Sequence, residues 1–381
     1  MAPFAGLLAA EGKPRLRVAQ IGTSHAHAAG KMDALRSLPD LYDVVGFAEP
    51  IAARQAAAQK AKSFAGLKYL TEAEILADPT IRVVVIETTL EDSARAALAA
   101  LKAGKHIHLD KPGAEKHADF IALRRYAAEK GLTVQMGYML RYNPAIQLLV
   151  RAVKEGWLGE VMEIDASMGK LLDEANRKRF AQIPGGGMYE LACHLVDTVV
   201  TLLGAPTAVQ AFGNATRAPQ DTFVDNQLAV LSYPKATVTI RCNHADPFGG
   251  PHRALAVHGT RGAMGNHADP FSGPHRALAV RGTRGAMEIR PLESGKGVLR
   301  LDEPRDTAKV CRQVGDKMVM FAEPRFKKGE NAFALDVPKE RYDEEFRDLH
   351  RVLVGGQAFA WSADHDISVH ATALRAAGLT P

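Results

Sequence analysis

Between residues 15 and 137, short apolar runs alternate with helical stretches, and this alternation restricts the chain to few architectures. The run Val83-Val84-Val85-Ile86 has no polar position, so a strand formed by it must be covered on both faces. Arg15 to Ile21, Tyr42 to Ala48, His106 to Leu109 and Thr133 to Gly137 read as further strands. His25 to Leu38, Ile51 to Lys62 and Asp119 to Glu129 read as helices between them. Thr88 and Glu91 have capping-box spacing before a fourth helix, in which Ala94, Ala97, Leu98 and Leu101 recur at helical period up to Gly104. Strands separated by helical crossovers pair in parallel. The pattern predicts an α/β fold with a doubly wound, Rossmann-type parallel sheet over residues 15–140.

Beyond about residue 140 the texture changes. One helix, Ala145 to Glu155, precedes strand-like segments at Val161 to Met168, Gln227 to Tyr233 and Ala236 to Arg241. Two helical segments close the chain, Tyr342 to Val354 and His365 to Ala377. Residues 141–381 are therefore expected to form an α+β domain with a mostly antiparallel open sheet, and residues 1–14 a disordered tail. Within that domain Asn243 to Gly265 and Asn266 to Glu288 are tandem copies that differ at Gly249/Ser272, His258/Arg281 and Gly265/Glu288. Two copies do not make a solenoid, so one copy is expected in the sheet and the other outside it.

The loop Gly22-Thr23-Ser24-His25-Ala26-His27 lies where a Gly-x-Gly-x-x-Gly dinucleotide turn belongs. Gly22 keeps the glycine that makes the bend. Ser24 stands where the backbone approaches a pyrophosphate, and the helix N-terminus offers free N–H groups to an anion. Glu49 ends the second strand, where a carboxylate accepts hydrogen bonds from a ribose and repels a 2′-phosphate. The expected cofactor is therefore NAD, with NADP less favoured. Gly22, Thr23, Ser24, His25 and Glu49 would hold it with the strand-end residues Thr88, Thr89, Asp110 and Lys111. His25, His27, His106, His108 and Asp110 are metal-ligand types, but nothing in their spacing makes them converge, and no metal is expected.

Other partners are excluded on composition. A net charge of +5 over 381 residues is a weak field, and the basic runs Arg177 to Arg179 and Arg325 to Lys328 read as solvated loops, so no nucleic acid is expected. No apolar run approaches the ~18–20 residues that span a bilayer, and no membrane partner is expected. Cys193, Cys242 and Cys311 lack the CxxC spacing of a metal or redox site, which fits a cytoplasmic location.

Several longer segments carry a resemblance. Ala103-Gly104-Lys105-His106 precedes Asp110-Lys111-Pro112, and Gly137-Tyr138-Met139-Leu140-Arg141-Tyr142-Asn143-Pro144 leads into the second half. Gly185-Gly186-Gly187 is followed by Glu190, His194 and Asp197 at helical spacing. Together with the closing helices, these segments resemble the Gfo/Idh/MocA family of NAD(P)-dependent oxidoreductases over most of residues 15–378. The chain departs from the family pattern at Ser24 and His27 in place of glycines, Thr89 in place of proline, Asp110 in place of Glu and Glu190 in place of Asp.

Oxidising a secondary alcohol requires a base for the hydroxyl proton and a donor for the developing oxyanion. Glu190 and His194 lie four apart, so on one helix their side chains would meet, and histidine titrates in the useful range. The resemblance implies acid/base and substrate-polarising roles for Lys111 and His194, with Glu190 orienting His194 or binding substrate. Arg141, Tyr142 and Asn143 are further substrate-binding candidates. The expected activity is hydride transfer between a nicotinamide cofactor and a secondary alcohol of a sugar, polyol or related ring compound. Two alternatives are an NAD-dependent glycosidase acting by transient oxidation and elimination, and a non-catalytic NAD-binding regulator. A homo-oligomer, dimer or tetramer, joined through the C-terminal sheet is expected.

Overall fold

The computed structural model describes residues 14–246, 254–259, 278–282, 285–289, 296–305, 310–314, 317–321, 326–337 and 341–381. The tail expected over residues 1–14 lies almost wholly outside this set.

The N-terminal elements run β1 (Leu16–Ile21), α1 (Ala28–Ser37), β2 (Tyr42–Ala48), α2 (Ala52–Lys60), β3 (Lys68–Tyr69), α3 (Glu72–Ala77), β4 (Val83–Ile86), α4 (Leu90–Lys102), β5 (His106–Leu109), α5 (His117–Glu129) and β6 (Val134–Met136). They form one parallel sheet in the order β3-β2-β1-β4-β5-β6. All four residues of β4 are buried, as an all-apolar central strand requires. The sheet has six strands where the hydrophobic runs indicated five. The added strand, β3, is a two-residue edge with no apolar run to reveal it. The capping box also sits elsewhere: Thr71 and Glu74 form it at α3, whereas Thr89 precedes α4 without a side-chain cap. Thr88 Oγ1 donates to the Thr89 carbonyl instead.

Strand order reverses between β1 and β4, so the crevice at their carboxyl ends is where this fold binds ligands. Gly22 makes the turn there, at φ +91°, and a Cβ on it would lie 2.6 Å from the Thr88 amide nitrogen. Gly22→Ala should therefore combine left-handed strain with a backbone clash and lower stability by about 2 kcal/mol or more. A thermal melt of the full chain checks this, and an unchanged Tm would contradict it.

The second half runs α6 (Pro144–Lys154), β7 (Val161–Gly169), α7 (Glu174–Ala181), α8 (Gly186–Glu190), α9 (Cys193–Leu203), β8 (Ala208–Asn214), β9 (Asn226–Ser232), β10 (Thr237–Asn243), β11 (Ala254–Gly259), β12 (Leu278–Gly282), β13 (Gly285–Ile289), β14 (Lys296–Leu301), β15 (Val310–Val314), β16 (Lys317–Phe321), β17 (Gly329–Ala334), α10 (Asp343–Gly355) and α11 (Ala363–Ala376). Among the described residues nine strands form a mostly antiparallel sheet, with β10 parallel to β7, and β15 and β16 make a separate hairpin.

Both repeat copies supply a strand, β11 from the first and β12 from the second, so the expectation of a single copy in the sheet is not met. The equivalent residues His258 and Arg281 both stand opposite Glu163 of β7. The shared segment pairs differently in the two, with β7 in β11 and with β13 in β12, so each copy finds a place in the sheet. Much of both copies, including His252, His267, Asp269 and His275, lies outside the described residues.

The closing helices return to the first sheet. Lys31 of α1, fully buried, pairs with Glu345 of α10, and the Glu345 carbonyl accepts from Gln135 Nε2 at 2.7 Å. Tyr42 donates to the Phe346 carbonyl at 2.7 Å. The two halves are thus joined by buried polar contacts as well as by the chain. Arg177 is buried and pairs with Asp221 and Asp225, so the first basic run is not a solvated loop. Among the described residues no helix is long and apolar enough to cross a membrane.

Candidate active site

A cleft of about 260 Å³ opens at the carboxyl ends of β1, β4 and β5, facing α7 and α8. Of the residues singled out from the sequence, Ser24, His25, Thr88, Thr89, Asp110, Lys111 and Glu190 line it, whereas Gly22, Thr23 and Glu49 do not. Arg54, Arg179, Gln182 and Ile183 line it too and were missed, because nothing in a short basic run or a loop marks a cleft wall. A larger cavity of about 570 Å³, with Phe180, Gly186, Phe212 and Val224 in its walls, carries no titratable group and adjoins the cleft through Gln182 to Pro184.

Lys111 is the centre of the site. It is 2% exposed, and its Nζ donates to the Glu190 carbonyl at 2.6 Å and to Glu190 Oε1 at 3.1 Å. The helix break creates this acceptor: α8 ends at Glu190, α9 begins at Cys193, and the His194 amide turns to the Leu191 carbonyl. The Glu190 carbonyl is thereby released to Lys111. Burial alone would discharge Lys111, but the Glu190 carboxylate overrides it and holds the ammonium above its ordinary range. Burial likewise opposes ionisation of Glu190, and Lys111 overrides it and keeps that carboxyl well below the usual range.

His194 departs from expectation. The break between α8 and α9 keeps it off the Glu190 face, and it does not line the cleft. It is 1% exposed, packs near His27 and Tyr138, and its Nδ1 has no hydrogen-bond partner. Burial, reinforced by the Lys111 charge, pushes its pKa well below the ordinary histidine value rather than leaving it near neutrality.

Three amides of the turn before α1 are already engaged. Those of Ser24 and His25 both donate to the Glu87 carbonyl at 3.1 Å, and that of Thr23 donates to Glu49 Oε2 at 2.8 Å. The Thr23 hydroxyl also bonds Glu49, and Glu49 Oε1 accepts from the Ile51 amide at 2.9 Å. Glu49 is thus buried as a brace for the turn. The Ser24 hydroxyl, in contrast, is buried without a partner.

Beside Lys111 lies a second cluster. Asp110 Oδ2 is 3.0 Å from His27 Nδ1 and 3.2 Å from His25 Nδ1, and Glu87 Oε2 is 3.4 Å from His25 Nδ1. Burial opposes charge on His25, but Asp110 and Glu87 override it and raise the pKa to about 9, whereas burial prevails at His27 and lowers it to about 4. His106 and His108 stand apart from this group, bonded to the Thr133 amide and to Gln135. Glu87 was not singled out from the sequence, although an acid directly after an all-buried strand was the available signal.

Arg141, Tyr142 and Asn143 have structural partners away from the cleft. Arg141 bonds Asp197 and Asp366, Tyr142 donates to Asp348 at 3.0 Å, and Asn143 caps α6 through the Ala145 and Ile146 amides.

Residues 16–138 match the family model described as the oxidoreductase family, NAD-binding Rossmann fold, and residues 146–265 match that of the GFO/IDH/MocA C-terminal domain. The uncharacterized oxidoreductase YdgJ of Escherichia coli (strain K12) is 31% identical over 189 residues, 49% of this chain and 54% of that protein. The scyllo-inositol 2-dehydrogenase (NADP(+)) IolW of Bacillus subtilis (strain 168) is 28% identical over 189 residues, 49% of this chain and 52% of that protein. The chain thus matches about half the length of these curated relatives. Among solved structures, levoglucosan dehydrogenase in complex with NADH and levoglucosan has a TM-score of 0.72 at 18% identity, covering 96% of this chain and 98% of that one. At that identity the likeness speaks for the fold.

Proposed function

Since the chain belongs to the GFO/IDH/MocA family of oxidoreductases, we propose that it is an NAD-dependent dehydrogenase of a secondary alcohol on a sugar, polyol or related ring compound. The observation that carries this reading is the buried Lys111 ammonium at the cleft, held charged by Glu190. An ammonium has three N–H donors, and Glu190 takes two, leaving one for a substrate oxygen.

A dinucleotide fits these residues. The unpartnered Ser24 hydroxyl supplies a donor at the loop, and Thr88, Thr89 and Asp110 wall the crevice at the strand ends. The nicotinamide, when bound, supplies the hydride acceptor. Lys111 holds the substrate oxygen and favours its anionic form; His194, the proton acceptor expected from the sequence, has a free Nδ1 but lies off the cleft. Glu190 positions Lys111 rather than His194. Glu49 disfavours a 2′-phosphate, although Arg54 Nε lies 4.0 Å from Glu49 Oε2. Relatives named for inositol and levoglucosan dehydrogenation support the substrate class.

The protein is further proposed to act in the cytoplasm as a homo-oligomer joined through the C-terminal sheet. Strand β8, at the sheet edge, is exposed at every position but Val209, and Phe212 is 56% exposed.

The test is incubation of the full chain with NAD or NADP and a panel of inositols, aldoses, anhydrosugars and aryl glycosides. NADH formation with a cyclic polyol or sugar, and at least tenfold lower kcat/KM with NADP, is the expected result. Aglycone release without net NADH would replace the reading with the glycosidase. Cofactor binding without turnover on any substrate would favour the regulator.

A further inference from the structure

We propose that His25, His27 and Asp110, with Glu87 as a fourth donor, form a binding site for one divalent transition-metal ion of the zinc class at the floor of the cleft. The topology brings the donors together. Strands β4 and β5 pair in register, with Ile86 beside Leu109, so Glu87 and Asp110 emerge side by side at the carboxyl edge of the sheet. The turn from β1 into α1 passes over the same edge and carries His25 and His27, two residues apart.

One atom each from His25, His27 and Asp110 lies within 4.8 Å of the others. Tetrahedral zinc with bonds of about 2.0–2.2 Å places neighbouring donors roughly 3.3–3.6 Å apart. The observed separations are 3.0 Å (His27 to Asp110) and 3.2 Å (His25 to Asp110), so these three need little movement, whereas Glu87, 3.4 Å from His25 but outside the convergent group, must swing in to become the fourth ligand.

Glu87 supplies an independent observation. It is fully buried, neither carboxylate oxygen has a hydrogen-bond partner, and its ion-pair contact is His25 Nδ1 at 3.4 Å. A buried carboxylate with so few donors is costly unless a cation or proton meets it. A divalent ion between Glu87 and Asp110 would balance both charges. Two imidazoles with carboxylates suit zinc, cobalt or nickel, whereas magnesium and calcium select all-oxygen sets. Since His25 and Asp110 line the cleft, the bound ion is reachable from it.

The site stands whether or not the dehydrogenase reading holds, and its test reads metal rather than turnover. The full chain is stripped with a chelator, dialysed against Zn²⁺ and analysed for bound metal. One Zn²⁺ per chain is expected, with a Kd in the micromolar range or tighter. Asp110→Asn and His27→Gln should each weaken binding at least tenfold, and His106→Gln should not. His27 is only partly buried, so His27→Gln should remain folded if Asp110→Asn does not. Co²⁺ in place of Zn²⁺ should give an intense visible ligand-field band in the wild type that is absent in His27→Gln. Retention of no ion by the folded wild type, or equal binding by wild type and His27→Gln, would overturn the proposal.

Discussion

Lys111→Met should lower kcat by roughly 10²–10⁴ on whichever substrate the panel yields, the usual worth of a positioned proton-transfer or oxyanion group. The side chain is nearly isosteric, so the cleft keeps its shape while losing the ammonium paired with Glu190. NAD affinity should change little, because the proposed contacts to the dinucleotide lie mainly at Ser24 and the strand ends. His194→Ala should cost less, because His194 does not line the cleft. The pH profile separates the two. Burial and Lys111 hold His194 below its ordinary pKa, so its basic form persists as the pH falls. Turnover should therefore show no acid limb near pH 6.5, the ordinary histidine value. A limb centred there and abolished by His194→Ala would mean that His194 is solvated during turnover. Near wild-type kcat for Lys111→Met, with circular dichroism showing a folded protein, would remove Lys111 from the mechanism.

Arg141→Ala should be the most destabilising single change away from the site. The guanidinium bonds both oxygens of Asp197 at 2.6–3.1 Å and Asp366 Oδ1 at 2.7 Å, and it lies between the Tyr138 and Trp361 rings. Removing one partner of a buried ion pair leaves an uncompensated charge and costs about 3–5 kcal/mol. Arg141→Lys should fall between, because one ammonium cannot reproduce a bidentate fork with a third bond. Urea denaturation of the full chain measures both variants. Burial opposes ionisation of Asp197, and Arg141 overrides it and holds the carboxyl below its unfolded value. That contribution is complete above about pH 4 and is lost as the pH falls through the folded pKa. The gap between wild type and Arg141→Ala should narrow over the same acid range. A raised KM with unchanged stability in Arg141→Lys would instead restore Arg141 as a substrate ligand.

The sequence alone determined that five parallel strands alternate with helices in the first half, because an all-apolar run and a fixed alternation require cover on both faces, but it missed α3 and β3 between the second and third of them. It also pointed to Ser24, Thr88, Asp110 and Lys111 as neighbours, since each ends a strand or follows the turn after β1, and such ends gather on one edge of a parallel sheet; Glu190 came in only through the family resemblance and its spacing to His194. The short edge strand β3 escaped because two residues carry no periodicity. The site's pairings were decided only in three dimensions. Helical spacing joins Glu190 to His194, but a break of two residues between α8 and α9 gives Glu190 to Lys111 and leaves His194 behind it. Glu49, read as a ribose ligand, folds onto its own loop because the Thr23 and Ile51 amides there need an acceptor. The gathering of His25 and His27 with Asp110 and Glu87 depends on which strands are neighbours and in what register, and hydrogen bonding across the sheet decides that, not spacing along the chain.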